Sequence, residues 1–226
     1  MVEKDILKKI PVFSALPANH LALLGQISEL KSFKNGSIIV SEKSQGKMLF
    51  FVIAGRIKIY KSSGTGHIKV LSYLNKGDIF GEMIIFGGGV RSASAQAMAN
   101  CKILIIRAKD FKEFASGNIS VLLKIISTLI SRLKKADDEI KSLAYNTVLS
   151  RTAFTLLEFA AEYGIKKGGR TYINFPLTHS EIANNVGSSR EVISRVLSKL
   201  EALRYVKCRR GIIEILDPAS LKKVIY

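Results

Sequence analysis

The sequence predicts an α+β fold in which a small antiparallel β domain leads through one long helix into a helix-turn-helix domain. Three observations carry this. Short runs rich in Ile, Val, Phe and Tyr, broken by glycine turns, fill residues 30–107, and an uninterrupted apolar heptad runs from Ile119 to Tyr145. Two helix start signals, at Thr178 and Ser188, then bracket Gly187.

Residues 1–28 read as short helical pieces punctuated by Pro11 and Pro17, with Leu21, Leu23, Leu24 and Ile27 as their apolar set. Strands are expected at Ile38–Val40, Met48–Ile53, Arg56–Tyr60, Ile68–Leu74, Ala93–Ala99 and Lys102–Arg107. Turns such as Asn35-Gly36, Ala54-Gly55 and Gly64-Thr65-Gly66 separate them. Such spacing suits a small sandwich or barrel.

The helix over 119–145 contains neither proline nor glycine. Leu122, Ile126, Leu129, Leu133, Ala136, Ile140 and Leu143 step by four and three, and so narrow a stripe predicts a parallel helix pair across a homodimer rather than a helix lying only on its own domain. A helix over 147–163 follows and stops at Gly164. Next come a basic glycine-rich turn, Lys166-Lys167-Gly168-Gly169-Arg170, and a strand over Tyr172–Phe175. Thr178-His179-Ser180-Glu181 and Ser188-Ser189-Arg190-Glu191 fit the capping box, with Gly187 as the left-handed stop between them. Ile182, Val186, Val192, Val196, Leu197 and Leu200 are the expected interior. Val206–Cys208 and Ile212–Ile215, joined through Arg209-Arg210-Gly211, supply a wing. The domains divide as 1–113, 114–145 and 146–226.

The chain of 226 residues is 47% hydrophobic, which excludes intrinsic disorder, and its formal charge of +17 points to a polyanionic partner, nucleic acid first. The excess is spread over the chain: residues 1–145 hold 22 basic and 11 acidic residues, residues 146–226 hold 13 and 7. Cys101 and Cys208 stand alone, so no disulfide framework or cysteine-ligated zinc or iron–sulfur site is expected. His20, His67 and His179 read as exposed or capping residues, and the run Asp137-Asp138-Glu139 faces different sides of a helix, so neither a metal nor haem is expected. No apolar run reaches the roughly 18 residues of a membrane span, and the charged first ten residues lack a signal-peptide core; a cytoplasmic protein is expected. No nucleophile–base pair or P-loop is present in the sequence, so no enzymatic activity is expected.

Two constellations carry chemistry. Arg190, Glu191, Ser194 and Arg195 crowd the start of the second helix of the helix-turn-helix, the end that reaches base edges. Arginine forks suit guanine, glutamate accepts from cytosine, and serine serves either role. The segment Asn75-Lys76-Gly77-Asp78-Ile79-Phe80-Gly81-Glu82, followed by Arg91-Ser92-Ala93, combines a glycine turn and an arginine for a phosphate with a carboxylate for a ribose hydroxyl.

Leu71-Ser72-Tyr73-Leu74-Asn75, Gly77-Asp78, Gly81-Glu82 and Arg91-Ser92-Ala93, then the heptad helix, then Glu181-Ile182-Ala183 and Gly187-Ser188-Ser189-Arg190-Glu191, together resemble the CRP/FNR family of bacterial transcription regulators, above all its catabolite activator branch. The resemblance covers essentially the whole chain. It implies a cyclic-nucleotide-binding β-roll, a long dimerisation helix and a C-terminal winged helix in a homodimer. It further implies cAMP as effector, with cGMP or another cyclic nucleotide as the variant. Gly81 and Glu82 fall at ribose and phosphate, Arg91 and Ser92 at the phosphate with Ala93 beside them, and Ala136 and Asp137 at the positions facing the base. Arg190, Glu191 and Arg195 fall on bases of a two-fold symmetric, TGTGA-like DNA operator, with Thr178 and Ser189 on backbone phosphates and Ser188 among the DNA-binding residues. Ser194 is where the FNR branch places a serine. RNA polymerase is the further partner implied. Two alternatives belong to the same pattern: a nucleotide-binding regulator that acts through a protein partner, and a family member active without a nucleotide.

Overall fold

The computed structural model describes residues 1–87, 89–209 and 211–225. The chain forms two compact units, Met1–Lys61 with Val70–Arg132, and Ser62–Lys69 with Leu133–Tyr226. No single helix among the described residues is long and apolar enough to cross a membrane.

The first unit opens with α1 (Lys4–Lys8) and α2 (Ala18–Gln26) and continues into β1 (Ser28–Phe33), β2 (Ile38–Val40), β3 (Met48–Ala54), β4 (Ile57–Ser62), β5 (Ile68–Leu74) and β6 (Ile79–Phe80). After α3 (Met83–Gly87) come β7 (Ser94–Ala97), β8 (Cys101–Arg107) and α4 (Ala108–Ser116). The strands form two four-stranded sheets, ordered β1-β8-β3-β6 and β2-β7-β4-β5. β3 (MLFFVIA) and β8 (CKILIIR) read as almost unbroken apolar runs because their sheet is covered on both faces. Leu49, Phe51, Leu104 and Ile106 pack with the helices, whereas Phe50, Val52, Ile103 and Ile105 pack with Ile57, Leu74, Ala95 and Ala97 of the second sheet. Alternate residues thus serve opposite cores. β1 was not expected, since its sequence SELKSF is largely polar. It lies at the sheet edge, paired with β8 and with Leu30 packed against the core.

α5 spans Ile119–Tyr145, the predicted limits. The face it packs on its own unit takes in part of the predicted seam. Val121 and Ile125 are fully buried, and Leu122 and Leu129 pack against the same core. Two of the seven expected seam positions are therefore taken by the helix's own unit. The large exposed aliphatic residues of α5 are Ile119, Leu123, Ile126, Ile130, Leu133, Ile140 and Leu143. The first six follow the same four–three stepping in a shifted register, in which Asp137 fills the gap between Leu133 and Ile140 and Ala136 lies off the line.

In the second unit α6 (Val148–Tyr163) starts on Thr147, whose hydroxyl accepts from the Ser150 amide at 3.1 Å. β9 (Gly164–Lys167) and β10 (Arg170–Ile173) follow, so the basic turn is the tip of a hairpin and the strand expected over Tyr172–Phe175 begins two residues earlier. Then come α7 (His179–Val186), α8 (Arg190–Ala202), β11 (Val206–Arg209), β12 (Ile212–Ile215) and α9 (Pro218–Lys223), with sheet order β11-β12-β10-β9. Gly187 adopts φ 71° and its amide returns to the Ala183 carbonyl, as predicted. Thr178 caps α7 as expected, but the second box is displaced by one: Ser189, not Ser188, caps α8 by accepting from the Val192 amide at 3.3 Å. The interior shifts accordingly. Ile193 is fully buried with Leu197 and Leu200, while Val192 and Val196 are half-buried.

Candidate effector pocket and DNA-reading face

β6 delivers the chain into the turn that carries Gly81 and Glu82. Gly81 sits at φ 76°, and a Cβ there would lie 2.5 Å from Arg91 Nη1, so both backbone and space demand glycine. Arg91 is 6% exposed. Its Nη2 donates to the Met48 carbonyl at 2.9 Å, and its Cζ lies 5.1 Å from the centre of the Phe50 ring. Burial pushes the guanidinium below its ordinary value, and the charge of Glu82 pulls it back up. Glu82 is 4% exposed and accepts Arg132 Nη1 on Oε1 at 2.8 Å.

Two buried polar atoms of this cluster have no partner among the described residues: Arg91 Nη1, a donor, and Glu82 Oε2, an acceptor. A buried orphan of this kind costs about 1–3 kcal/mol, more when charged. A ligand offering both an anionic oxygen and a hydroxyl satisfies the pair, and a cyclic nucleotide has both. The residues present fit that group.

Arg132 and Gly46 belong to this site and were not expected from the sequence. Arg132 donates to Glu82 and also to the Ile79 carbonyl. Its signal was helical spacing: Val121, Ile125 and Leu129 step along the inner face of α5, and Arg132 is next on it. A Cβ on Gly46 would lie 2.4 Å from Arg91 Nε and 2.3 Å from Ile84 Cδ1, and no motif marks that position.

The remaining expected effector residues behave differently. Ser92 is exposed and its hydroxyl donates to Met83 Sδ at 3.2 Å, not toward Glu82 or Arg132. Ala93 is half-buried beside it. Ala136 and Asp137 are exposed on the part of α5 that belongs to the second unit. His20, expected to be exposed or capping, instead bonds Asn118 through Nδ1. Among the described residues no group of three His, Cys, Asp or Glu is arranged to hold a metal ion.

On the second unit Arg190, Glu191 and Arg195 are exposed along the first turns of α8, and Ser188, Ser189 and Ser194 are half-buried around them. Glu191 is held below the usual carboxylate range, first by its own backbone amide and the Ser189 hydroxyl, then by Arg190 and Arg195. The Thr178 hydroxyl spends an acceptor lone pair on capping and keeps a proton with which it can donate, whereas the Ser189 hydroxyl both caps α8 and donates to the Glu191 carboxylate. Arg209 is exposed at the end of β11, whereas Arg210, expected in the wing turn, lies outside the described residues. The register Thr171↔Ile215 and Ile173↔Ile213 puts the basic Lys167–Arg170 tip at the opposite end of the sheet from the wing turn. Those lysines are not part of the wing.

Comparison with known proteins assigns residues 30–118 to the cyclic nucleotide-binding domain and residues 150–224 to the Crp-like helix-turn-helix domain. The chain belongs to the CRP/FNR family of transcription regulators. It is a DNA-binding regulator under the control of a cyclic nucleotide. The regulator is 24% identical over 219 residues to the CRP-like cAMP-activated global transcriptional regulator of Mycobacterium tuberculosis, covering 97% of this chain and 98% of that one. It is 27% identical over 220 residues to the cyclic AMP receptor protein of Thermus thermophilus, covering 97% and 99%. Its fold matches the c-di-GMP responsive global regulator of Xanthomonas campestris with a TM-score of 0.80 at 22% identity, over 88% of this chain and 99% of that one.

Proposed function

We propose that this regulator is a homodimer that binds a cyclic mononucleotide, cAMP first, and thereby gains affinity for a two-fold symmetric operator with TGTGA-like half-sites. The observation that carries the effector is the buried pair of unpartnered atoms, Arg91 Nη1 and Glu82 Oε2. Arg91 takes the cyclic phosphate, and Ser92 joins it once its hydroxyl leaves Met83, with Ala93 beside it. Glu82 accepts the ribose hydroxyl on Oε2 while Arg132 fixes Oε1, and Gly81 leaves the space. Ala136 offers the base no hydrogen bond. Asp137, an acceptor only, suits the adenine amino group and suits still better the adjacent N1–H and amino donors of guanine.

Arg190, Glu191, Ser194 and Arg195 read bases, and Thr178, Ser188 and Ser189 hold phosphates. The effector acts by binding one of two pre-existing arrangements more tightly, and so biases the spacing of the two recognition helices toward one DNA turn, about 34–36 Å. RNA polymerase is the expected protein partner, and the regulator acts by binding rather than by catalysis.

Calorimetry with cAMP and with cGMP on wild type, Arg91→Gln and Asp137→Ser tests the pocket. Wild type is expected to bind, Arg91→Gln to lose about ten- to a hundredfold, the worth of one charged hydrogen bond, and Asp137→Ser to shift the cAMP-to-cGMP ratio. No heat with either nucleotide overturns the effector assignment; an unaltered ratio removes Asp137 from the base site. A gel shift on a TGTGA palindrome at two salt concentrations tests the DNA reading, since specific binding withstands competitor DNA and weakens steeply with salt.

A further inference from the structure

Met83 follows Glu82 directly, opens α3 and is 56% exposed. Among the other methionines, Met48 and Met98 are half-buried and Met1 is terminal. The Met83 thioether is also the atom that holds the Ser92 hydroxyl, at 3.2 Å. A thioether is a weak acceptor on a flexible side chain, so it gives up that hydroxyl readily.

We propose that Met83 is an oxidation site that controls the effector pocket: a hydroperoxide converts its thioether to a sulfoxide, which retains the Ser92 hydroxyl and weakens nucleotide binding. The inference rests on the assignment of Arg91 and Ser92 to the phosphate. In the reaction a sulfur lone pair attacks one peroxide oxygen, the O–O bond breaks, an S–O bond forms and water or an alcohol departs. Sulfur loses two electrons and the peroxide gains two. The product carries a strongly polarised S–O bond, so an acceptor with anionic character stands where Ser92 must turn toward phosphate, next in sequence to Arg91 with its unpartnered Nη1. The modification is reversible, because the sulfoxide reductases restore the thioether, one enzyme for each sulfoxide epimer.

The test uses the full chain, graded hydrogen peroxide, peptide mass mapping of every methionine, and cAMP and cGMP affinities before and after treatment. Met83 is expected to oxidise several times faster than Met48 and Met98. Affinity of the oxidised wild type should fall on the order of tenfold, the loss of one hydrogen bond to a charged group. Both reductases together should restore it, and Met83→Leu should show no fall at the same peroxide dose. The proposal is overturned if Met83 oxidises no faster than Met48 and Met98, if fully oxidised Met83 leaves affinity unchanged, or if Met83→Leu loses affinity equally. Reduced wild type that binds neither nucleotide overturns the pocket assignment itself and this proposal with it, whereas peroxide-insensitive binding overturns the oxidation proposal alone.

Discussion

At position 81 the backbone is left-handed and a Cβ would stand 2.5 Å from Arg91 Nη1. Gly81→Ala is therefore expected to displace Arg91 and abolish measurable nucleotide binding, while costing stability only about 1–3 kcal/mol, the usual strain of one residue in that region. Calorimetry beside a thermal melt separates the two effects. In the DNA-binding unit, Arg190→Ala is expected to cost about 1–3 kcal/mol per half-site and relax preference at one G·C pair, whereas Arg209→Ala weakens all sequences alike. Competition binding with permuted operators distinguishes them; unchanged preference in Arg190→Ala would remove that residue from base reading. Cys208 is a quieter case. Burial, then the charge and hydrogen bond of Glu201, push its thiol from 9.0 up to about 11. The folded state keeps the thiol neutral where the unfolded chain already ionises. Its contribution to stability is thus full below about pH 9 and lost as the pH rises toward about 11. At pH 8 Cys208 should react with a disulfide reagent only slowly in the native protein and at once in guanidinium.

α5 shows how one helix serves two faces. Val121, Ile125, Leu122 and Leu129 pack on its own unit, and on an adjoining face Ile119, Leu123, Ile126, Ile130, Leu133 and Ile140 are exposed at heptad spacing. Those six are the surface offered to the second copy in the proposed homodimer. The two faces predict different failures for the same substitution. Leu133→Lys places an unpaired charge against its own copy, so sedimentation should show monomer at micromolar concentration with thermal stability of the first unit retained. Leu129→Lys should instead lower the melting temperature of that unit. A Leu133→Lys protein that remained dimeric would move the dimer contact off this stripe.

For the whole molecule, control by a nucleotide is a coupling free energy, and it is reciprocal. If cAMP raises operator affinity by some factor, saturating operator must raise cAMP affinity by the same factor. Titrations in both orders check this, and unequal factors would show that the two ligands do not share one two-state equilibrium. The charge of +17 adds a sequence-independent term to DNA binding. Each phosphate contact removed by substitution should reduce the slope of log affinity against log salt by about 0.9.

The linear sequence determined what local chemistry can encode: the limits of α5, the Thr178 cap, the Gly187 stop, the wing strands and the order of the parts. Each rests on residues within a few positions of one another, so the signal survives without knowledge of the fold. Strand β1, with its polar sequence, had no such local signature, and the helical spacing that puts Arg132 on the inner face of α5 does not name Glu82, fifty residues away, as its partner. Tertiary structure alone decided them, because an edge strand is set by its neighbour and an ion pair by which helix face turns inward. The same holds for the α5 stripe. A 27-residue helix carrying two apolar faces satisfies more than one heptad register, and only the packing of Val121 and Ile125 selects which one is left exposed. Ser92, next to Arg91 in sequence, acquired its hydrogen-bond partner Met83 only in the folded chain.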